Sequence, residues 1–269
     1  MTAATEIWTY RNLIYNLAQR ELRARYKKSL LGWLWSLINP AATLGIYTLV
    51  FGVFLAQQPP PMGNGRIGLF GMYLFCALVV WNFFNGAVTG SISALQGSGG
   101  LLNKVYFPPA APAIANMLTV LLQAAIEGGI LAAIMVLLGN ASVTFLLFPV
   151  ILVFLGLFAL GLGLFLSVYN VLYRDVSYLV GIFMQLLFYA TPIIYSIDII
   201  PAKVGGIPVR RLIELNPLTQ FVEWSRDAFY SLRWPSTAGM LYAMVASVVV
   251  FLAGTAAFNV KARNVAEEL

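Results

Sequence analysis

Long apolar runs alternate with short polar segments through most of this chain. A helix needs about 20 apolar residues to cross the hydrocarbon core of a bilayer, and six runs are long enough. These runs cover residues 31–55, 68–93, 112–138, 144–169, 177–197 and 237–259. The segments between them carry the Gly, Pro and Asn residues that are typical of turns. The pattern therefore predicts an all-α membrane protein with six transmembrane helices, which form one domain over residues 31–259.

Residues 1–30 have a different pattern, in which charges precede any long apolar run. Five apolar residues recur at helical spacing: Ile7, Tyr10, Leu13, Ile14 and Leu17. Cations accumulate towards the end of the segment, which is typical of an amphipathic helix at the membrane interface. Such a helix either lies against anionic lipid headgroups or also contacts a cytoplasmic partner, and both readings stay open.

The segment 198–236, between the fifth and sixth runs, is too long and too apolar for a simple loop. We expect two short helices, 208–215 and 218–232, on either side of the pair Asn216-Pro217. Broken helices at membrane depth occur only where protein or a watery cavity satisfies the backbone. The segment is therefore predicted to re-enter the membrane and to line a pathway. Glu223, Arg226 and Asp227 are at helical neighbour spacing, which favours local pairing over contact with a substrate, although both could hold at once.

An even number of spans places both termini on the same side of the membrane. If that side is the inner one, the inner segments hold ten Lys and Arg residues and the outer segments hold six. Cationic loops favour the cytoplasm, so the amino terminus and a tail over residues 260–269 are both expected to be cytoplasmic.

The amino-acid composition limits the kinds of protein and of functional site that this chain can form. Hydrophobic residues make up 60% of the 269 residues and charged residues 10%, against about 25% charged in soluble domains. A soluble protein is therefore excluded, and any large soluble domain that supplies energy must be another chain. There is no His, and Cys76 is the single Cys, so we expect no metal site and no cofactor on this chain. Cys76 is expected to pack as a small apolar residue.

Glu127 lies inside the third run. An acidic side chain at that depth costs several kcal/mol of free energy unless it is protonated, paired with another group or in contact with water. A proton or ion relay usually needs several acids or a His along its route, and the other spans carry no acid in their bodies. We therefore prefer a hydrogen bond from Glu127 to a neighbouring helix, or a position near the outer water.

The second and fifth runs mix aromatic rings with amides and hydroxyls. Lipid tolerates rings but not amides, so one face of each helix is expected to look into a bundle or channel. Rings with polar edges can stack on sugar rings and let a hydrophilic chain slide. Packing between helices is the alternative for any single ring. The candidate lining residues are Trp81, Asn82, Phe84, Asn85, Phe188, Tyr189 and Tyr195.

Four motifs carry a family resemblance. They are the stretch from Arg20 to Trp35 followed by Asn39-Pro40, then Tyr173-Arg174-Asp175, Thr191-Pro192-Ile193-Ile194-Tyr195 and Leu215-Asn216-Pro217-Leu218. With them the chain resembles the permease subunit of type-2 ABC exporters of polysaccharides, which handle O-antigen, capsule, teichoic acid and cell-wall galactan. The resemblance covers essentially the whole chain.

The resemblance implies a complex in the inner membrane of a bacterium, in which two copies of this permease pair with two ATP-binding subunits. ATP and magnesium would bind those subunits, and the substrate would be a glycan linked to undecaprenyl pyrophosphate; no nucleic acid is implied. Catalytic residues are not expected here, and these 269 residues contain no Gly-rich Walker-type phosphate loop.

The resemblance also assigns regions. Coupling to the ATP-binding subunit would involve the amphipathic helix and the loop from Gln96 to Pro109, whose apolar residues would seat in a groove on the partner. The candidates are Arg20, Arg23, Arg25, Leu101, Leu102, Lys104, Tyr106 and Phe107. An outer gate would lie over 208–232, with candidates Asn216, Pro217, Phe221, Trp224 and Arg226.

Three other classes remain possible on the sequence. An ABC permease for a drug or a hydrophobic small molecule has a similar fold, and only the first motif and the aromatic lining argue against it. A stand-alone secondary transporter or channel usually shows paired broken helices or several buried ionisable groups. A membrane-embedded enzyme acting on polyprenyl lipids would need clustered acids or His near the interface.

Overall fold

The computed structural model describes residues 7–26, 34–98, 100, 107–173 and 175–268. Within these ranges we number nine α-helices: α1 Arg11–Tyr26, α2 Trp35–Tyr47, α3 Phe70–Gln96, α4 Ala111–Leu137, α5 Leu147–Leu172, α6 Val176–Ala190, α7 Val209–Glu214, α8 Pro217–Arg226 and α9 Thr237–Glu268. π-helical turns extend α2 over Thr48–Phe54 and α8 over Asp227–Ser231. The all-α prediction is confirmed for the described part of the chain.

In the described part of the chain, five helical segments are long and apolar enough to cross a membrane. They are Leu37–Phe54, Phe70–Gln96, Ala111–Leu137, Val143–Leu172 and Thr237–Ala262. The fifth predicted run, 177–197, is helical only in α6, whose 15 residues span about 22 Å. Helix α6 ends because the ring of Pro192 disfavours helical backbone at Thr191, which is extended at φ −95° and ψ 138°. The last third of the predicted span is therefore not α-helical, and six complete crossings stay a prediction.

Helix α3 lies at the centre of the bundle. Its residues from Tyr73 to Trp81 are all buried, and Cys76 is fully enclosed, as its expected packing role requires. Helices α4, α5 and α8 surround α3, while α9 packs on the far side of α5. Burial on all sides explains why this run is apolar all round rather than on one face.

Helices α5 and α9 touch through their backbones. A Cβ on Gly161 would lie 2.6 Å from the carbonyl oxygen of Val250, and one on Gly254 would overlap the carbonyl oxygen of Gly161. Small residues permit this close approach, which is a common way to join helices in membranes.

The two ends of the bundle differ. At one end, which we call the interface end, α1 packs across the start of α4, and Asn170 donates a 3.5 Å hydrogen bond to Gln96. At the other, the loop end, three connecting segments meet around the buried Asn140 amide. Asn140 Nδ2 donates to the carbonyl oxygens of Phe229 at 2.8 Å and Tyr230 at 3.0 Å, and Asn140 Oδ1 accepts from the Asn64 amide at 3.0 Å.

The segment before the last span contains both expected short helices. Helix α7 covers most of 208–215, and α8 with its π-helical turn covers 217–231 rather than 218–232. The break falls at Asn216, whose side chain accepts a 3.1 Å hydrogen bond from the Leu218 amide and caps α8, while Pro217 occupies the first helical position. Re-entry of this segment into a membrane stays a prediction.

Candidate functional site

Helix α1 has an apolar face that is covered by protein. Ile14, Leu17 and Ala18 are buried against Ala111 and Ala115 of α4. Arg20 and Arg23 are exposed, with Arg23 on the face away from α4 and Arg20 beside a cavity between α1, α3 and α4. Because the apolar face is already packed, α1 does not need lipid to cover it, and its cationic face is free to meet a membrane surface or a partner.

Phe107 corrects one expectation about the coupling loop. Its side chain is 1% exposed and belongs to the cluster under α1, so it does not seat in a groove on another protein. The physical reason is that the apolar face of α1 needs an apolar surface within the chain, and Phe107 supplies part of it. The other loop candidates, Leu101, Leu102, Lys104 and Tyr106, and the Arg25 side chain lie outside the described residues.

The predicted lining residues form two groups rather than one surface: a chain of aromatic rings, and the amides of Asn82 and Asn85. The rings of Trp81 and Phe188 meet edge to face, with centroids 5.3 Å apart, and the ring of Tyr189 is 5.3 Å from that of Phe188. Tyr195 joins this group because its hydroxyl donates a 2.9 Å hydrogen bond to the carbonyl oxygen of Tyr189. Tyr47 of α2 also stacks on Phe188, which links α2, α3 and α6 through one aromatic cluster.

Phe84 extends the aromatic cluster, because its ring centroid is 6.0 Å from that of Trp81. It stacks on Phe158 of α5, with centroids 5.8 Å apart, and lines an apolar cavity of about 500 Å³ between α3, α5 and α6. Phe183 and Leu218 also line this cavity. A space walled by hydrocarbon suits a lipid chain or packing better than a hydrated polymer.

Asn82 and Asn85 form the second group and line a cavity that also borders α4. Asn82 Nδ2 donates a 3.4 Å hydrogen bond to one carboxylate oxygen of Glu127, and Gln123 Nε2 donates a 3.0 Å bond to the other. Glu127 is 2% exposed. The preferred sequence interpretation, a hydrogen bond from this acid to a neighbouring helix, is therefore confirmed. Among the described residues no cluster of three His, Cys, Asp or Glu side chains occurs that would hold a metal.

Arg226 is the centre of the predicted gate region and is 1% exposed. Its guanidinium donates to the Glu223 carboxylate at 2.8 Å and to the Ile193 carbonyl oxygen at 2.7 Å, and it lies 3.8 Å from the ring centroid of Tyr73. The predicted Glu223–Arg226 pair is confirmed, whereas Asp227 pairs with Arg233 at 2.6 Å. The contributions of Tyr73 and Ile193 have no signal in the sequence, because both are far from Arg226 along the chain.

The other gate candidates are packed into the same wall. Phe221 and Trp224 are buried with ring centroids 5.1 Å apart, and Asn216 Nδ2 donates a 3.0 Å hydrogen bond to the Thr191 hydroxyl. Pro217 is half-buried beside them. Burial raises the pKa of the nearby Asp227 carboxyl, and the hydrogen bond from Arg233 opposes that rise. The segment is thus tied to α3 and to the end of α6 by polar contacts rather than lying loose on the surface.

Long apolar helices surround a central helix in this fold. An amphipathic helix packs across one end, and a segment of short helices is held at the other end by hydrogen bonds. This arrangement is that of a multi-pass membrane protein of the transporter type. Residues 12–230 match the model of the ABC-2 type transporter family, and the chain belongs to that family.

Several relatives share most of the length of this chain. The O-antigen export system permease protein RfbA of Myxococcus xanthus is 30% identical, over 98% of each chain. A protein of the same name from Klebsiella pneumoniae is 26% identical over 81% of this chain and 80% of its own length. The polysialic acid transport protein KpsM of Escherichia coli is 24% identical over 78% of each.

Proposed function

We propose that this chain is the permease subunit of an ATP-driven exporter that moves a lipid-linked polysaccharide, such as an O-antigen, across the inner membrane. The observation that carries the proposal is the similarity to an O-antigen export permease over 98% of both chains. A match of this extent covers the amphipathic helix, the bundle and the short-helix segment together. The lipid carrier would be undecaprenyl pyrophosphate, and galactan and teichoic acid are other substrates of the same kind.

A separate ABC subunit would bind ATP and magnesium, since this chain contains no Walker-type loop. Two permeases would assemble with two such subunits. The exposed cationic face of α1, held by its buried apolar face against α4, supports a contact at the interface end. On this proposal the interface end lies in the cytoplasm together with both termini, and the excess of cations in the segments assigned to that side supports this orientation.

The proposal is tested by deletion of the gene in its native host. We expect the deletion strain to lose surface polysaccharide and to accumulate lipid-linked glycan inside the cell, and the plasmid-borne gene to reverse both. Copurification of the tagged permease should recover an ATP-binding subunit. A deletion strain with a normal surface polysaccharide, or a permease that is active alone without nucleotide, contradicts the proposal.

A second candidate function has one specific observation in its favour. The cavity between α3, α5 and α6 is lined almost entirely by apolar side chains, including Phe84, Phe183 and Leu187, as an exporter of a hydrophobic small molecule would need. Increased sensitivity of the deletion strain to hydrophobic compounds, with its surface polysaccharide intact, would favour this candidate.

A further inference from the structure

A polar groove runs along one side of α3. Two cavities form it, one of about 500 Å³ at the interface end and one of about 280 Å³ deeper in the bundle, and Gly86 lines both. Among the residues that α3 and its C-cap contribute, five recur every three or four positions and form one stripe: Asn82, Gly86, Thr89, Ser93 and Gly97. Helix α4 forms the facing wall. The groove is separate from the aromatic cluster and from the apolar cavity.

The groove contains a buried hydrogen-bond acceptor without a donor. Asn116 of α4 is 1% exposed, and its Nδ2 donates to the carbonyl oxygens of Gly86 at 3.3 Å and Ala87 at 3.4 Å. Its Oδ1 has no hydrogen-bond partner among the described residues and lies against Gly90, which also lines the cavity. A buried amide oxygen without a donor is costly, so an occupant of the groove with a hydroxyl group would stabilise it.

The deeper cavity presents amides and one carboxylate. Asn39, Asn82, Asn85 and Gln123 line it together with Glu127, which is the one charged residue among the described residues of its lining. The Asn85 side chain has no hydrogen-bond partner among the described residues. Lipid tails cannot satisfy such groups. In this deeper cavity the carboxylate disfavours a phosphate, whereas a hydroxyl group donates to a carboxylate and accepts from an amide. The larger cavity is bordered by both a cation and an acid, Arg20 and Glu21 of α1.

We propose that this groove binds the hydroxyl groups of a neutral saccharide, with the Glu127 cavity as its deep end and Asn116 as an acceptor near its mouth. The proposal rests on the proposed function and adds the site that the sugar occupies. Sugar units would enter at the interface end, where the larger cavity lies beside α1, and would exchange hydrogen bonds with the stripe rather than stack on the aromatic cluster.

A thiol at Ser93 tests the occupant directly. Cys76 is fully buried, so the unaltered chain should not react with a charged methanethiosulfonate reagent and serves as the control for background labelling. Ser93→Cys is labelled in two versions of the native host, one that makes its polysaccharide and one in which the first glycosyltransferase is blocked. We expect labelling to be several-fold slower in the cells that make glycan. Equal rates would mean water alone fills the groove, and no labelling in either strain would mean lipid fills it; both results overturn the proposal.

A second experiment measures export by the variant Asn85→Leu, which loses an amide but no hydrogen bond within the described part of the chain. Loss of one or two hydrogen bonds to the sugar corresponds to about tenfold less surface polysaccharide, at an unchanged amount of permease in the membrane. The matched control is Asn259→Leu, the same change on the exposed face of α9, which should export normally. If Asn85→Leu exports like the control while the deletion strain exports nothing, the groove assignment is wrong and the proposed function stands.

Discussion

Removal of the Arg226 guanidinium should loosen the loop end of the bundle. Arg226→Ala deletes a 2.8 Å ion pair with Glu223 and a 2.7 Å hydrogen bond to the Ile193 carbonyl oxygen. Hydrogen bonds to a charged group each contribute about 1.5–3 kcal/mol, and removal of one partner of a buried pair costs about 3–5 kcal/mol. The cation over the Tyr73 ring adds up to about 2 kcal/mol. We therefore expect Arg226→Ala to lower the free energy of unfolding by about 3–5 kcal/mol.

The assay is thermal unfolding of the purified permease in detergent, where this change corresponds to a fall in Tm of about 10 °C or more. Arg233→Ala is the matched control, because Arg233 also pairs with an acid but its side chain is 71% exposed. Because the Arg233 end of this pair is in water, we expect the pair to contribute about 1 kcal/mol, less than the contacts of the buried Arg226. Limited proteolysis should cut Arg226→Ala first within 198–236, since the segment loses its tie to α3 and to the end of α6.

A double-mutant cycle separates the pair from its surroundings. Glu223→Leu combined with Arg226→Leu removes both charges, and it should recover part of the stability because no unpaired charge remains. If Arg226→Ala unfolds at the same temperature as Arg233→Ala, the reasoning about this buried cation is refuted.

Three further predictions concern packing. Gly254→Ala places a methyl group in the backbone of Gly161 and should prevent stable folding, with a cost above about 1–3 kcal/mol, whereas Gly129→Ala meets nothing within 4 Å and should be tolerated in a detergent Tm measurement. Asn140→Ala leaves the carbonyl oxygens of two residues without donors and should cost about 1–3 kcal/mol for each; an unchanged Tm would contradict this. Phe107→Ala should lower the free energy of unfolding by about 3–5 kcal/mol and make α1 accessible to protease. If this variant still copurifies with a normal amount of the ATP-binding subunit while α1 is cut, α1 is not the contact with that subunit.

Local features of the chain were readable without the structure. The apolar runs predict the long helices because length and hydrophobicity alone decide whether a helix can sit in lipid. The break at Asn216-Pro217 is visible because Asn caps a helix and Pro starts one. The Glu223–Arg226 pair follows from helical spacing. In each case the interacting groups lie within a few residues of one another, and helical geometry brings them together.

Which side chains share a surface was decided only by the tertiary structure. Trp81 and Asn82 are adjacent in sequence, yet they face an aromatic cluster and a polar groove respectively. Successive helical residues point about 100° apart, so only the packing of the other helices determines which surface each residue meets.

Helix α6 ends after Ala190 because of Pro192. This local signal was overlooked in predicting the fifth span, because the apolar run continues past it. The sequence by itself determined that this chain is a helical membrane protein with a broken segment before its last span. The contacts of Arg226 with Tyr73 and Ile193, the burial of Phe107 under α1 and the polar groove facing α4 all join residues that are distant along the chain. Such contacts depend on how whole helices pack, which no local pattern of residues encodes.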